Sequence, residues 1–150
     1  SGQQAAQLWK IRESIPEAQN HEGQSVKHDV SVPISRIAEF LERADKLLEA
    51  AYLGVRCVAF GHVGDGNMHY NPVQPLGNEG ADFGAEYSNI NRIVHDLIHE
   101  LNGSISAEHG LGRLRRDEAK RYKSDVEVDL MRTVKDALDP TNIMNPGKVV

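Results

Sequence analysis

The segment FGHVGDGNMHYNP, residues 60–72, limits the possible folds more than any other part of the sequence. Its glycines are too frequent for a helix. Asp-Gly is a strong signal for a two-residue hairpin turn, because both central residues of a type I′ turn need positive φ. With Asp65-Gly66 in the turn, His62 is predicted to pair directly with His69, and Asn71 lies on the same face. Two imidazoles placed in this way could hold one metal ion or form a paired polar site.

The hydrophobic pattern around this hairpin predicts alternating helices and strands. The predicted helices are residues 3–18, 34–50, 81–103 and 125–140. The predicted strands are residues 26–33, 55–62, 67–73 and 104–110, with a loop over 74–80. Residues 26–107 then follow the order β-α-β-β-α-β, which is typical of a ferredoxin-like fold. We therefore expect an α+β domain over 1–150: a ferredoxin-like antiparallel sheet with helices on one face, followed by C-terminal helices.

Charge and cysteine content exclude several classes of protein. A net charge of −5 argues against a general nucleic-acid binder. No apolar stretch approaches the roughly 18–20 residues of a membrane span. The one cysteine, Cys57, lies in the apolar run VRCVAF, so we expect a buried, inert thiol in a reducing compartment such as the cytoplasm. The sequence begins with Ser1-Gly2 and enters a helical pattern at once, which predicts a fragment of a longer protein.

A second candidate site is the segment SAEHGLG, in which Glu108 and His109 follow a predicted strand. Neighbouring strand residues point to opposite sides, so these two side chains need not share a role. One could complete a metal site with His62 and His69, and the other could transfer a proton. The alternative is a helix N-terminus, where glutamate is favoured by the helix dipole.

Other charged residues carry weaker signals. His95 and His99 are spaced i, i+4 on a predicted helix and could bind metal, but the acidic residues beside them favour a solvated helix face. Arg12 and Lys27 read alone as surface cations. They would meet a substrate carboxylate if the site binds an acid.

Five motifs together resemble the C-terminal domain of FAD-linked oxidases, in the group of D-lactate, D-2-hydroxyglutarate and glycolate dehydrogenases. The motifs are WKIRE, KHDVSVP, FGHVGDGNMHYN, SAEHGLG and DLMRTVKDALDPTNIMNPGKV. In that family the domain forms a substrate-binding cap over an N-terminal FAD domain, which this chain lacks. The resemblance therefore implies that residues 1–150 form the C-terminal part of the cap of an FAD-dependent 2-hydroxy acid oxidoreductase, which is inactive by itself.

The resemblance also implies individual roles. The family's divalent metal ligands, for zinc or manganese, fall on His62, His69 and Glu108, and its catalytic histidine falls on His109. Its contacts to the substrate carboxylate fall on Arg12, Lys27 and Asn71, and its flavin contacts fall on Asn145 and Lys148. D-2-hydroxyglutarate enzymes carry a threonine where this sequence has Pro16, which argues against that substrate.

The partners implied are a small 2-hydroxy acid, the FAD domain and a second copy of the chain. Two functions of other classes stay open from the residues alone. One is a metal-dependent hydrolase that uses His62, His69 and Glu108. The other is a non-catalytic ferredoxin-like module that binds a partner through its polar face.

Overall fold

The computed structural model describes residues 1–77 and 82–150, which form an α+β fold as predicted. The helices are α1 (Gly2–Gln19), α2 (Ile37–Ala51), α3 (Tyr87–Glu100), α4 (Arg116–Tyr122) and α5 (Asp125–Leu138). The strands are β1 (His28–Ser31), β2 (Arg56–His62) and β3 (Asn67–Val73). The end of the predicted loop 74–80 and the start of the helix predicted from residue 81 lie outside the described residues.

The described strands form one antiparallel sheet in the order β1-β3-β2. The strand predicted over 104–110 is reduced to a single bridge between Ser31 and Ser104, so that prediction is wrong beyond its first residue. After Ser104 the backbone bends, because the N–H groups of Glu108 and His109 donate to the side chain of Asp29 rather than to the β1 backbone. The ferredoxin-like order of elements remains, with its last strand shortened to one residue pair.

The hydrophobic core lies on one face of this sheet. α2 and α3 present apolar side chains at helical spacing to that face. The buried residues of the two helices include Phe40, Ala44, Leu48, Ile90, Val94 and Ile98, and they pack with Leu101, which follows α3, on Val30, Met68 and Tyr70 of the sheet. Side chains alternate along a strand, so the neighbours of these sheet residues project from the opposite face. We call that opposite face the open face.

The hairpin exists, but its predicted register is wrong. His62 pairs with Asn67 and Phe60 pairs with His69, so the connection spans residues 63–66 instead of two residues. The N–H of Asp65 donates to the carbonyl of His62, and the Asp65 carboxylate accepts the N–H of Asn67. Gly66 adopts φ +81°, a conformation that glycine reaches without steric cost. Its carbonyl accepts the N–H of Val32. The register differs by two residues, an even number, so His62 and His69 still share the open face.

The two outer helices leave apolar side chains exposed. α5 has no buried residue, and its side chains at i, i+4 spacing form an exposed stripe. The stripe consists of Val126, Leu130, Val134 and Leu138, which are 56–72% exposed. α1 likewise exposes Leu8, Trp9 and Ile11. Across residues 1–77 and 82–150, we find no helix that combines the length and the apolar character needed to cross a bilayer.

Candidate functional site

Two histidines and a glutamate converge at one end of the open face. Nε2 of His62 lies 3.4 Å from one carboxylate oxygen of Glu108, and Nε2 of His69 lies 3.5 Å from the other. The two imidazole centroids are 6.4 Å apart. β2 and β3 supply the histidines, and the bend after Ser104 brings in Glu108. We call this group the His62–His69–Glu108 cluster.

Asp29 lies next to this cluster in β1 and is buried. One of its carboxylate oxygens accepts the backbone N–H groups of Glu108 at 2.8 Å and His109 at 2.7 Å. The other oxygen accepts an N–H of the Asn67 side chain at 2.8 Å. Burial raises the pKa of Asp29, but these three hydrogen bonds and the nearby His109 outweigh it and leave the pKa below its usual value.

The protonation of His69 is set by competing neighbours. Burial lowers its pKa, the carboxylates of Asp29 and Glu108 act in the opposite sense, and the net pKa is lowered. Nδ1 of His69 lies 3.8 Å from Asp29. A neutral imidazole is the form that binds metal ions, so this environment suits a ligand.

Within the described residues, one group of side chains is compact enough to hold a cation, and it overlaps the predicted ligand set. Ligand atoms of Asp29, His69, Glu108 and His109 all lie within 4.8 Å of one another. However, Asp29 already accepts three N–H groups and has little acceptor capacity left. The predicted ligand set of His62, His69 and Glu108 shares His69 and Glu108 with this group, whereas His62 lies outside it. Zinc and manganese both accept such nitrogen and oxygen donors.

A pocket of about 290 Å³ opens beside the cluster, between α1 and the open face. His69 belongs to both the cluster and the pocket. The other lining residues are Arg12, Pro16, Gln19, Lys27, His28, Phe60, Asn71 and His109. The His109 ring stacks on that of His69, with centroids 5.7 Å apart, and its Nδ1 is 3.6 Å from Asp29. The structure thus brings five of the predicted residues together: His109, Arg12, Lys27, Asn71 and His69.

Arg12, Lys27 and Asn71 of this pocket differ in how many hydrogen-bond or charged partners they already have. The Arg12 guanidinium lies over the Phe60 ring, 4.8 Å from its centroid. Lys27 donates only to Asn20, at 3.3 Å. Within the described residues, neither cation has a carboxylate partner. Asn71 is buried, accepts the N–H of His28 and donates to Gln19, so its amide also supports the pocket wall.

Asn145 and Lys148 lie elsewhere, in the tail after α5. They line a groove of about 860 Å³ together with Leu130 and Val134 of the α5 stripe. Neither residue lines the pocket beside His69.

The interpretation of His95 as part of a solvated helix face is wrong. Its side chain is 1% exposed, and Nδ1 lies 3.1 Å from Glu118 of α4. The ring of His95 also meets that of buried His28 edge-on, at 5.6 Å. Burial and the neighbouring His95 lower the pKa of His28 to about 3. Both histidines therefore belong to the packed interior.

Sequence reasoning missed Asp29, Phe60 and Gln19 as parts of the site. The alternation of β1 did carry a signal for Asp29, because that residue falls on the face opposite Val30. Cys57 has no role at the site. Burial raises its pKa to about 11, in agreement with the inert thiol expected.

The fold and the pocket define a class: an α+β domain with a cationic pocket and a histidine-carboxylate cluster on the face of its sheet opposite the hydrophobic core. Residues 1–149 match the family "FAD linked oxidases, C-terminal domain", and the chain belongs to that family.

Named relatives agree with this family. The chain is 39% identical over 149 residues to D-2-hydroxyglutarate dehydrogenase of Stutzerimonas stutzeri, covering 99% of this chain and 32% of the relative. It is 42% identical over 149 residues to the enzyme of that name from Xanthomonas citri pv. viticola, covering 99% and 31%. It is 36% identical over 143 residues to D-lactate dehydrogenase of Archaeoglobus fulgidus, covering 95% and 30%. The chain thus spans about a third of the length of these relatives.

Proposed function

We propose that this chain forms the substrate-binding and catalytic part of an FAD-dependent 2-hydroxy acid dehydrogenase or oxidase. One observation carries the proposal: a single pocket combines two cations that have no carboxylate partner among the described residues, an exposed histidine and His69 of the His62–His69–Glu108 cluster. A 2-hydroxy acid needs each of these, because its carboxylate must be bound and its hydroxyl must lose a proton. The relatives' names, D-2-hydroxyglutarate and D-lactate dehydrogenase, support the same class.

Arg12 and Lys27 bind the substrate carboxylate in this proposal. Arg12 can donate two parallel N–H groups to a carboxylate, whereas Lys27 supplies a point charge on a flexible stem. Phe60 holds the Arg12 guanidinium above its ring, which limits the rotamers of a long side chain. Asn71 keeps the wall rigid through its bonds to β1 and α1.

The His62–His69–Glu108 cluster would hold a divalent cation. Ligand atoms that surround one four-coordinate ion at 2.0–2.2 Å lie about 3.4 Å apart. His62 and His69 lie 3.4 and 3.5 Å from different oxygens of Glu108, and His62 would have to move closer for all three side chains to bind one ion. The ion, when bound, would stabilise developing negative charge on the substrate hydroxyl oxygen. Three protein ligands leave room for that oxygen, as in catalytic sites.

His109 is the proposed general base. Its ring is stacked on His69 at the pocket wall and its side chain is 66% exposed, so it can reach a hydroxyl proton. Asp29, 3.6 Å from Nδ1, stabilises the imidazolium formed when Nε2 takes that proton. FAD would accept the hydride released from C2.

The α5 stripe and the tail are proposed to face the FAD-binding part of the enzyme. Asn145 and Lys148 lie beside exposed Leu130 and Val134 in one open groove. Exposed apolar patches of this kind mark interaction surfaces. A homodimer and a reducing cellular compartment stay predictions from the sequence.

The decisive experiment compares this chain with the complete enzyme that contains it. We expect the complete enzyme to bind FAD and to reduce an artificial electron acceptor with D-lactate or D-2-hydroxyglutarate. The 150-residue chain alone should carry no flavin absorbance and show no turnover. Hydrolysis of esters or peptides by the metal-loaded chain would favour a metal-dependent hydrolase. Absence of all turnover in the flavin-loaded complete enzyme would favour a binding module.

A further inference from the structure

We propose that Asp29 is a positioning residue that fixes Glu108 and His109 in place. Neither of the two residues lies in a helix or a strand, yet both belong to the proposed site. The functional consequence of this role rests on the proposed function, whereas the hydrogen bonds that define the role can be measured without it.

The Asp29 carboxylate determines the shape of the bend. A single oxygen accepts two consecutive backbone N–H groups, those of Glu108 and His109, and the Asp29 carbonyl accepts the N–H of Ala107 at 3.1 Å. Two successive N–H groups can point at one oxygen only if the backbone curves around it. The side chains then diverge: Glu108 reaches His62 and His69, and His109 enters the pocket.

Asp29 also ties this bend to β3. Its second oxygen accepts from Asn67, which is 3% exposed and also donates to the carbonyl of Val30. His69 lies two residues from Asn67 on the same face. One buried carboxylate therefore links the segment that carries Glu108 and His109 to the strand that carries His69.

This arrangement assigns Asp29 a role other than ligation. A carboxylate has about four acceptor sites, and N–H donors occupy three of those of Asp29, so its main contacts are to the backbone of the bend and to Asn67. The low pKa of Asp29 agrees with a carboxylate held in its charged form by these donors. Residues that orient metal ligands typically change metal affinity or activity by roughly 10–100-fold when replaced.

Two variants separate the contact of Asp29 with the backbone of the bend from its contact with Asn67. Asp29→Ala removes all three acceptor contacts. Asp29→Asn keeps one oxygen for the two backbone N–H groups. Its new amide meets the Nδ2 donor of Asn67, so this second contact is kept only when the Asn67 side chain turns its unpartnered Oδ1 towards residue 29. Asp45→Asn is the matched control, because Asp45 accepts a hydrogen bond from Tyr70 on the core face, away from the site.

The first measurement is the hydrogen-exchange rate of the Glu108 and His109 backbone amides in the 150-residue chain, monitored by NMR. We expect both amides to exchange at least about tenfold faster in Asp29→Ala, little faster in Asp29→Asn and unchanged in Asp45→Asn. Mn²⁺ affinity, measured by calorimetry, should fall roughly 10–100-fold in Asp29→Ala and be largely retained in Asp29→Asn. If Asp29→Ala does not fold, unprotected amides in folded Asp29→Asn would overturn the proposal, and protected ones would support it.

The second measurement is turnover by the complete, FAD-loaded enzyme. Asp29→Ala should lower kcat by roughly 10–100-fold with little change in KM, because Arg12 and Lys27 keep their places. Asp29→Asn should recover part of this loss. Unchanged amide exchange and unchanged kcat in folded Asp29→Ala would overturn the positioning role. If the wild-type enzyme oxidises no hydroxy acid, the proposed function fails, and amide exchange still decides the role of Asp29.

Discussion

Glu108 and His69 face each other across 3.5 Å, from a carboxylate oxygen to Nε2, although one lies in a bend after α3 and the other in β3. The side chain of Glu108 is 46% exposed, whereas that of His69 is 14% exposed. A half-open carboxylate beside a largely buried imidazole is suited to an ion that exchanges with solvent and also meets a substrate. The predictions below test this arrangement and the pocket beside it.

The isolated chain should bind one divalent cation at the His62–His69–Glu108 cluster. Replacement of orienting residues alone costs roughly 10–100-fold in affinity, so His69→Ala and Glu108→Gln should each cost at least that much. His62→Ala should also weaken binding. Calorimetry with Mn²⁺ and Zn²⁺ gives the stoichiometry and the affinity. His21→Ala is the control, because His21 is exposed and lies outside the cluster; equal losses in the control would contradict the assignment.

Glu108 and His109 should separate in function although they are adjacent. In the complete enzyme, His109→Ala should keep its metal and lose roughly 10²–10⁴-fold in kcat, the usual contribution of a general base. Glu108→Gln should lose metal, and added Mn²⁺ should restore part of its activity. Metal content and kcat are measured for both variants. Near-normal turnover in His109→Ala would show that His109 is not the general base.

The cations of the pocket should control binding of acidic substrates. Arg12→Met and Lys27→Met should each raise KM for a 2-hydroxy acid, because each removes a charge that has no carboxylate partner in the described structure. D-2-hydroxyglutarate has a second carboxylate that D-lactate lacks. The variant whose KM rises more for D-2-hydroxyglutarate than for D-lactate therefore identifies the cation that binds this second carboxylate. Lys10→Met serves as the control, since Lys10 is an exposed cation on α1 that does not line the pocket. Unchanged KM values in both pocket variants would contradict this use of the pocket.

Pro16 should affect the choice of substrate. It lines the pocket without offering a hydrogen-bond donor. Pro16→Thr adds a hydroxyl at that wall, so we expect kcat/KM to shift towards D-2-hydroxyglutarate relative to D-lactate. The ratio of the two kcat/KM values is the measurement. A shift towards D-lactate would show that the wall at residue 16 does not meet the polar end of the longer acid.

Buried His28 should make the fold sensitive to acid. Burial and His95 lower the pKa of His28 from 6.5 to about 3, so the folded state holds it neutral. The unfolded chain takes up a proton below about pH 6.5, and the folded chain does so only near pH 3. The neutral form of His28 therefore stabilises the fold above about pH 6.5, and this stabilisation is lost as the pH falls from about 6.5 towards 3. Between about pH 7 and 5.5 the free energy of unfolding should fall by about 1 kcal/mol.

Urea unfolding at the two pH values measures this effect. His28→Gln removes the titrating group, so its stability should change less between them than that of the wild type. His21→Gln is the matched control, because exposed His21 is not part of the buried pair. An identical pH dependence in wild type and His28→Gln would show that burial of His28 does not govern acid sensitivity.

Local patterns determined much of this protein from the sequence alone. The spacing of apolar residues predicted α2 and α3, and the alternation of side chains along β3 placed His69 and Asn71 on one face. The adjacent pair Glu108-His109 and the histidines of the hairpin were found because their residue types and spacing are local properties. The face shared by His62 and His69 was also predicted correctly, since an even change in register preserves it.

Tertiary structure decided the hairpin register, the shortened last strand and the place of Asp29. The register depends on hydrogen bonds from Val32 to Gly66 and within the turn, and the former joins residues distant in sequence. The strand predicted over 104–110 was lost because a carboxylate from β1 competes with backbone pairing for the N–H groups of Glu108 and His109. The sequence wrongly predicted a solvated His95 for a similar reason, because its partner Glu118 lies in a later helix that local periodicity does not report. Periodicity reports which face a residue occupies, but only packing between distant segments determines what that face meets.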